Sequence, residues 1–289
     1  MSTLCPPESS LKCPYDVEDF HGTSFPGDVK KTVGGVGRNI TETVFRLGLN
    51  PMFSSVVGSD EFGRWIISQF ETMGIDSSNL EVVENQSTAV YSAIHKPDGN
   101  LLSAVADMKI FDGMSFDEDK LLKNGIPNLV CFDANIPESY ISSILNFCSA
   151  KKIPAFFEPT SVPKSGKIFK DKKLFSDLLT TQTLRYISPS RLELESMFNV
   201  AKSNGLFDNN DWVDKLIEFN IGSKYRQVFA AATKLLPYIP TIIIKLDKDG
   251  ALLVQNMEDI DSVLNEGEAN SKDHRIEIVV TRKGKGGIR

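Results

Sequence analysis

The chain has 289 residues, of which 41% are hydrophobic and 24% charged, with a formal net charge of −6. That length and balance fit a folded α/β protein of one large or two small domains and exclude a disordered or low-complexity chain. The acidic surface is a poor match for nucleic-acid backbone or anionic lipid, and no apolar run approaches the ~20 residues that span a bilayer.

Residues 1–20 read as an irregular N-terminal segment, with Pro6, Pro7, Ser9 and Ser10 giving no firm strand. Met1–Pro14 lacks the basic and apolar regions of a secretory signal, so the expected location is cytoplasmic. Gly34-Gly35-Val36-Gly37-Arg38-Asn39 then leads into a helix with Ile40, Val44 and Leu47 on one face and Gly48 at a left-handed C-cap. Met52–Val57 reads as a strand. Ser59 or Asp60 caps a second helix, which runs to Met73 through Phe62, Ile66 and Phe70 and ends at Gly74. Thr88–His95 and Leu101–Ala106 flank Pro97-Asp98-Gly99, which predicts a hairpin over 87–106.

Strand–helix alternation resumes at Leu129–Phe132, which ends in Asp133-Ala134-Asn135 and precedes a helix over Ser139–Ser149. Ala155–Phe157 is the next strand, ending in Glu158-Pro159-Thr160. Tyr186–Ser188 precedes a helix around Leu192–Phe198. Asp211–Phe219 and Ser223–Leu236 are predicted helices, and β-branched Thr241–Leu246 is the clearest strand. Asp247-Lys248-Asp249-Gly250 turns it into Ala251–Val254, and Ile276–Val280 is the last strand before the basic tail 281–289. Short, continuous, apolar strands predict a mostly parallel sheet buried on both faces, with ligands beyond the strands' carboxyl ends. The polar residues to watch are therefore Asp133, Asn135, Glu158, Ser190, Glu193 and Lys245.

The four cysteines, Cys5, Cys13, Cys131 and Cys148, show no zinc spacing; Cys131 and Cys148 lie in apolar segments and read as small buried hydrophobes. His21, His95 and His274 are too scattered for a triad or metal cage.

Adjacent glycines before a helix let its free N–H groups approach a ligand's oxygens, and Asn39 carries a donor and an acceptor suited to sugar hydroxyls. The same glycines would also suit a plain tight turn. The segment is neither a Walker loop nor a dinucleotide fingerprint. Gly34–Asn39, Arg46-Leu47-Gly48 and Val57-Gly58-Ser59-Asp60-Glu61-Phe62-Gly63, at their spacing, resemble the N-terminal signature of the ribokinase-like (pfkB) carbohydrate kinases. His21–Gly27, Ala104–Met108, Asp133-Ala134-Asn135 and Phe157–Lys164 resemble the pseudouridine kinase branch. The resemblance runs from about His21 to Val280.

It implies a three-layer α/β kinase domain over 21–280 with a β-lid at 87–106, using ATP and Mg²⁺ to phosphorylate a nucleoside or sugar hydroxyl, most like pseudouridine. It implies that Gly34, Gly35 and Asn39 hold the sugar, that Asp107 lies near lid and substrate, and that Asp133 and Asn135 belong to the substrate and phosphate side. Ser190-Arg191-Leu192-Glu193 stands where the family has Asn-x-x-Glu for metal and phosphates, with Glu193 as the metal residue; an exposed acid in a helix's first turn is the alternative for Glu193. Lys245 faces phosphate or solvent. A homodimer through the lid is the implied assembly.

Two departures stand out. The family's first strand, with a Gly-Gly pair and a substrate-binding Asp, has no counterpart in residues 1–20. Its late Gly-Ala-Gly-Asp, which supplies an anion hole and the general base, meets Thr281-Arg282-Lys283-Gly284-Lys285-Gly286-Gly287, with Gly287 in the position of the Asp. No catalytic residue is therefore assigned, the C-terminal part of the fold is expected to be missing, and the alternative is a non-catalytic nucleoside- or sugar-binding protein on a pfkB scaffold.

Overall fold

Short β-prone runs alternating with amphipathic helices build two units, Met1–Met114 and Ser115–Arg289. The computed structural model describes residues 2–5, 28–95, 101–171, 181–207, 225–256 and 276–281.

In the first unit β1 (Ser2–Cys5) pairs antiparallel with β2 (Asp28–Lys31). Helix α1 (Val36–Arg46) follows, then β3 (Ser55–Gly58), α2 (Glu61–Met73) and β4 (Leu80–Val83). The predicted hairpin is present as β5 (Val90–His95) and β6 (Leu101–Asp107), antiparallel, with the predicted turn residues Pro97–Gly99 outside the described residues. β1 also runs parallel to β5, which gives a four-stranded sheet in the order β2-β1-β5-β6. The strand at Ser2–Cys5 corrects the irregular reading of the N-terminal segment. Its four residues carry too little pattern to announce a strand, and its partners lie far along the chain. β3 pairs in parallel with β4 alone among the described strands, with α2 as the crossover.

Helix α2 has the predicted bounds, and its N-terminus shows why. Asp60 caps it by accepting the Gly63 N–H at 2.8 Å. The same carboxylate accepts the Thr88 N–H at 2.8 Å and the Thr88 hydroxyl at 2.6 Å, while the Thr88 oxygen accepts the Gly58 N–H at 2.9 Å. This closed network needs close backbone approach. A Cβ on Gly58 would lie 2.2 Å from the Gln86 carbonyl oxygen, and one on Gly63 would lie 2.1 Å from the Gly58 carbonyl oxygen. The Gly58–Gly63 block therefore has a structural role in this unit. Gly48 takes the expected left-handed conformation after α1, at φ 84°.

In the second unit a short helix α3 (Glu118–Leu122) precedes β7 (Val130–Asp133), α4 (Glu138–Lys151), β8 (Ala155–Glu158), α5 (Val162–Ser165), β9 (Leu184–Ile187), α6 (Arg191–Ser203), α7 (Arg226–Leu235), β10 (Thr241–Lys245), β11 (Ala251–Asn256) and β12 (Ile276–Thr281). They form one sheet in the order β12-β11-β10-β9-β8-β7. β7 to β10 are mutually parallel, and β11 and β12 add antiparallel. The mostly parallel sheet is thus the α/β architecture expected. Phe157, Leu184, Ile187, Ile242, Ile244 and Val254 are fully buried in it, against Leu145 of α4, Leu194 and Met197 of α6 and Leu235 of α7. Each such side chain contributes about 1.5–3 kcal/mol of burial free energy. Cys148 is buried on α4, and that burial pushes its thiol up to about 12. Cys131, against expectation, is exposed on β7, the outermost strand of this sheet. The predicted helix 211–219 and the tail after 281 lie outside the described residues. Among the described residues no helix is long and apolar enough to cross a membrane.

Burial pulls the Asp60 carboxyl upward, but the Thr88 hydroxyl and the Gly63 and Thr88 N–H groups outweigh it and hold the group below its ordinary value of 3.8. A depressed carboxyl contributes stability that is present above its unfolded value and is lost as pH falls through the folded value. Asp60→Ala is expected to cost about 1–3 kcal/mol at neutral pH, from the lost cap and the unpaired Thr88. The difference from wild type should shrink below about pH 4. Urea melts at pH 7 and pH 3 measure both. Gly63→Ala should lower the melting temperature well beyond Gly113→Ala, whose Cβ meets nothing within 4 Å.

Candidate functional site

Parallel pairing aligns the carboxyl ends of the second unit's strands. Asp133 stands opposite Glu158 on β7 and β8, Phe157 opposite Ile187 on β8 and β9, and Ser190 bridges to Lys245 beyond β9 and β10. The watched polar residues of this unit therefore share one edge of the sheet.

Glu158 is at its centre. The residue is 8% exposed, and an ionised carboxylate so buried needs partners. Its Oε1 accepts from Lys245 Nζ at 2.6 Å, and its Oε2 accepts from the Ser188 hydroxyl. One carboxylate thus ties three strand ends together. The Lys245 side chain remains 45% exposed, so its ammonium is held on one side and open on another. The Lys245 backbone N–H also donates to the Pro189 carbonyl oxygen at 2.8 Å, which fixes it beside the start of α6.

Ser190 caps α6 in a reciprocal box. Its hydroxyl accepts the Glu193 N–H at 3.3 Å, and Glu193 Oε2 accepts the Ser190 N–H at 2.7 Å. Glu193 is buried, at 7% exposure, so the alternative of an exposed first-turn acid does not hold.

The loop after β7 is clamped by three lysines. The Asn135 N–H donates to Asp133 Oδ1 at 2.8 Å, and Asn135 Oδ1 accepts from Lys164 Nζ at 2.7 Å. Lys167 Nζ donates to the Ile136 carbonyl oxygen at 2.8 Å, and Lys170 pairs with Glu138 at 2.6 Å. Thr160 lies between the strand ends with φ 67°, a left-handed conformation that costs a non-glycine residue about 1 kcal/mol or more. Its hydroxyl oxygen accepts the Ala134 N–H at 3.1 Å and donates to the Glu158 carbonyl oxygen at 3.3 Å.

In the first unit Gly35 precedes α1 at φ 103°, a conformation open to glycine, and provides no side-chain cap. Gly34 is half-buried beside it. Asn39 is exposed in that first turn. Its Oδ1 accepts from Arg38 Nε at 3.2 Å and Arg38 Nη2 at 2.5 Å. The acceptor expected to face a sugar is therefore already engaged by Arg38. Asp107 ends β6, is exposed, and accepts the Lys109 N–H at 3.4 Å.

Sequence reasoning placed Glu158, Ser190 and Lys245 at strand ends but did not pair them, because 87 residues separate Glu158 from Lys245. Ser188, Thr160, Lys164 and Arg38 were missed as individual residues. Arg38 and Lys164 had one available signal, a cation within a quoted motif. Among the described residues no group of three or more His, Cys, Asp or Glu side chains could enclose a metal ion. Mg²⁺ commonly uses one or two carboxylates and completes its shell with water and substrate phosphates. Glu193 alone fits that mode and does not fit a closed protein cage.

The model of the pfkB family carbohydrate kinases matches residues 13–268. A pseudouridine-metabolizing bifunctional protein of Schizosaccharomyces pombe is 31% identical over 255 residues, which cover 82% of this chain and 33% of that protein. Pseudouridine kinase of Escherichia coli is 29% identical over 187 residues, covering 63% of this chain and 56% of the relative. Pseudouridine kinase of Arabidopsis thaliana is 25% identical over 80% of this chain and 59% of its own length. The chain thus spans between a third and three fifths of these relatives' lengths. Among solved structures, ribokinase of Cryptococcus neoformans in complex with ADP superposes with a TM-score of 0.61 at 15% identity, over 98% of this chain and 76% of that one. Arabidopsis thaliana ribokinase complexed with ribose and ATP gives 0.59 at 16% identity, over 80% and 67%. These likenesses establish a ribokinase-like fold.

Lys245→Met leaves the Glu158 carboxylate with Ser188 alone and is expected to cost about 1–3 kcal/mol of stability. Glu158→Gln combined with Lys245→Met should cost less than the sum of the single changes, by about 0.5–3 kcal/mol of coupling. Chemical denaturation of the four proteins closes the cycle.

Proposed function

The chain belongs to the pfkB family of carbohydrate kinases, and from that premise we propose that it transfers the γ-phosphoryl group of ATP to a nucleoside hydroxyl, converting pseudouridine to pseudouridine 5'-phosphate. The observation that carries the reading is the row of polar side chains at the carboxyl ends of β7 to β10, in a chain whose relatives include pseudouridine kinases.

In this reading Gly34, Gly35, Asn39, Asp107, Asp133 and Asn135 bind the nucleoside, and Ser190, Glu193 and Lys245 face the phosphates. Phosphoryl transfer depends mainly on positioning and on neutralising charge over the phosphoryl oxygens. Lys245 suits that work because Glu158 holds its ammonium at one oxygen while almost half of the side chain stays accessible. Mg²⁺, when bound with ATP, supplies charge neutralisation at the phosphates, and Glu193 is the residue of this chain that would hold it. In the transfer a bond forms from the ribose hydroxyl oxygen to the γ-phosphorus, the bond from that phosphorus to the β,γ-bridging oxygen breaks, ADP leaves, and the hydroxyl proton passes to a base. The base is unassigned, since the resemblance puts Gly287 where the family's Asp is expected.

That glycine favours a second reading, a nucleoside-binding protein without turnover. Loss of a general base alone lowers rates by about 10²–10⁴-fold. By the same family reading, exposed Leu101 and Val105 on β6 suit a homodimer through the lid, which sedimentation would register.

Incubation with ATP, Mg²⁺ and pseudouridine, followed by detection of the 5'-monophosphate, tests the first reading. Lys245→Ala should then reduce turnover by about tenfold or more. Calorimetric binding of pseudouridine with no product would support the second reading, and absence of both binding and product would reject the two together.

A further inference from the structure

The asparagines at positions 39 and 135 share a feature that neither the fold nor the family accounts for. Each has its side-chain carbonyl oxygen held by a neighbouring cation. Asn39 Oδ1 takes Nε and Nη2 of Arg38, at 3.2 and 2.5 Å. Asn135 Oδ1 takes Lys164 Nζ at 2.7 Å. Both cations are themselves anchored. The Arg38 side chain is only 12% exposed and pairs through Nη1 with Glu42 at 2.6 Å, and Glu42 in turn pairs with Arg46 at 2.7 Å. Lys164 is half-buried in the short helix α5, whose Ser165 is fully buried.

The chemistry fixes which way each amide points. In an asparagine the O and N atoms can be exchanged by a half-turn about χ2, and they differ mainly in their hydrogen-bonding partners. Guanidinium and ammonium groups have donors and no acceptor, so only the oxygen can face them. A flipped amide would set an NH2 group against a cation. The charge-assisted bonds to Arg38 and Lys164 therefore force both NH2 groups away from the cations. Among the described residues nothing accepts from Nδ2 of Asn39 or of Asn135.

We propose that Arg38 and Lys164 are positioning residues that lock Asn39 and Asn135 with their NH2 groups outward, so that each asparagine reads an acceptor oxygen on the ligand. The inference rests on the proposed substrate roles of the two asparagines and adds to them the direction of the hydrogen bond. At each asparagine the ligand group it selects is a hydroxyl, ether or carbonyl oxygen. A ligand presenting N–H there is rejected, because it would oppose donor to donor and leave both unpaired. A preset amide also loses less freedom on binding than one that rotates.

The test measures binding of pseudouridine to the full 289-residue chain by calorimetry. Arg38→Met and Lys164→Met should each weaken binding by about tenfold, approaching Asn39→Ala and Asn135→Ala respectively. Arg38→Lys and Lys164→Arg, which keep a donor-only partner, should stay within about threefold of wild type. Arg46→Gln, which leaves the Arg38–Asn39 contact intact, should bind as wild type does. ¹⁵N relaxation of the side-chain NH2 groups in the free wild-type protein gives a readout that needs no variant. The Asn39 and Asn135 groups should be rigid on the nanosecond timescale, and each should become mobile in its methionine variant. Asn→Ala variants that weaken binding beside methionine variants that do not, or wild-type NH2 groups already mobile, would overturn the lock and leave the substrate reading standing. No binding by wild type, or none of it lost in the Asn→Ala variants, would overturn the substrate reading, and the lock with it.

Discussion

Burying the Glu158 carboxylate at the end of β8 costs free energy that only matched partners offset. Here the partners come from two other strands, a hydroxyl from Ser188 after β9 and an ammonium from Lys245 at the end of β10. The three strand ends are therefore held in one register by side chains as well as by the ladder. Ser190 and its capping partner Glu193 follow directly on that fixed edge, as does the start of α6. The polar row proposed to face phosphates exists because a charge was placed where it could not stay unpaired.

The first unit has its own version of the same constraint. Asp60 closes a ring through Thr88, Gly58 and Gly63, and the two glycines are required because the backbones touch where a Cβ would sit. A motif that marks a family by sequence thus proves, in this unit, to be architecture. The cation-held amides are different. Arg38 and Lys164 hold their neighbours locally, and the effect proposed for them falls on the direction of two NH2 groups.

Much of this was legible in the sequence where information was local. The cap at Asp60, the stop at Gly74, the hairpin over 87–106 and the β-branched strand at Thr241 follow from patterns a few residues long. The positions of Asp133, Glu158 and Lys245 at strand ends were legible too, because each apolar run stops there. The partnerships were not. Glu158 and Lys245 meet only because parallel strands bring distant segments together, and no local pattern encodes that pairing. β1 was missed for the same reason, and β4, only four residues long and interrupted by Glu81, is too short a run to stand out. The burial of Glu193 was hidden because a capping box looks the same in sequence whether or not the core reaches it.

The place of β1 in its sheet has a consequence for the order of assembly. β1 lies between β2 and β5, with Ser2 opposite Ser92 and Leu4 opposite Ile94. On the ribosome this inner strand is made before its parallel partner, which arrives only after α1, β3, α2 and β4 have been synthesised. The β5–β6 hairpin can close from neighbouring residues, whereas joining it to β1 must close a loop through most of the unit, and such contacts form slowly. Until then the N-terminal strand is left with an unpaired edge, the kind of surface that recruits other chains. The sheet that carries the β5–β6 hairpin is therefore the part of this unit most dependent on slow, long-range closure, and the one most exposed to mispairing during synthesis.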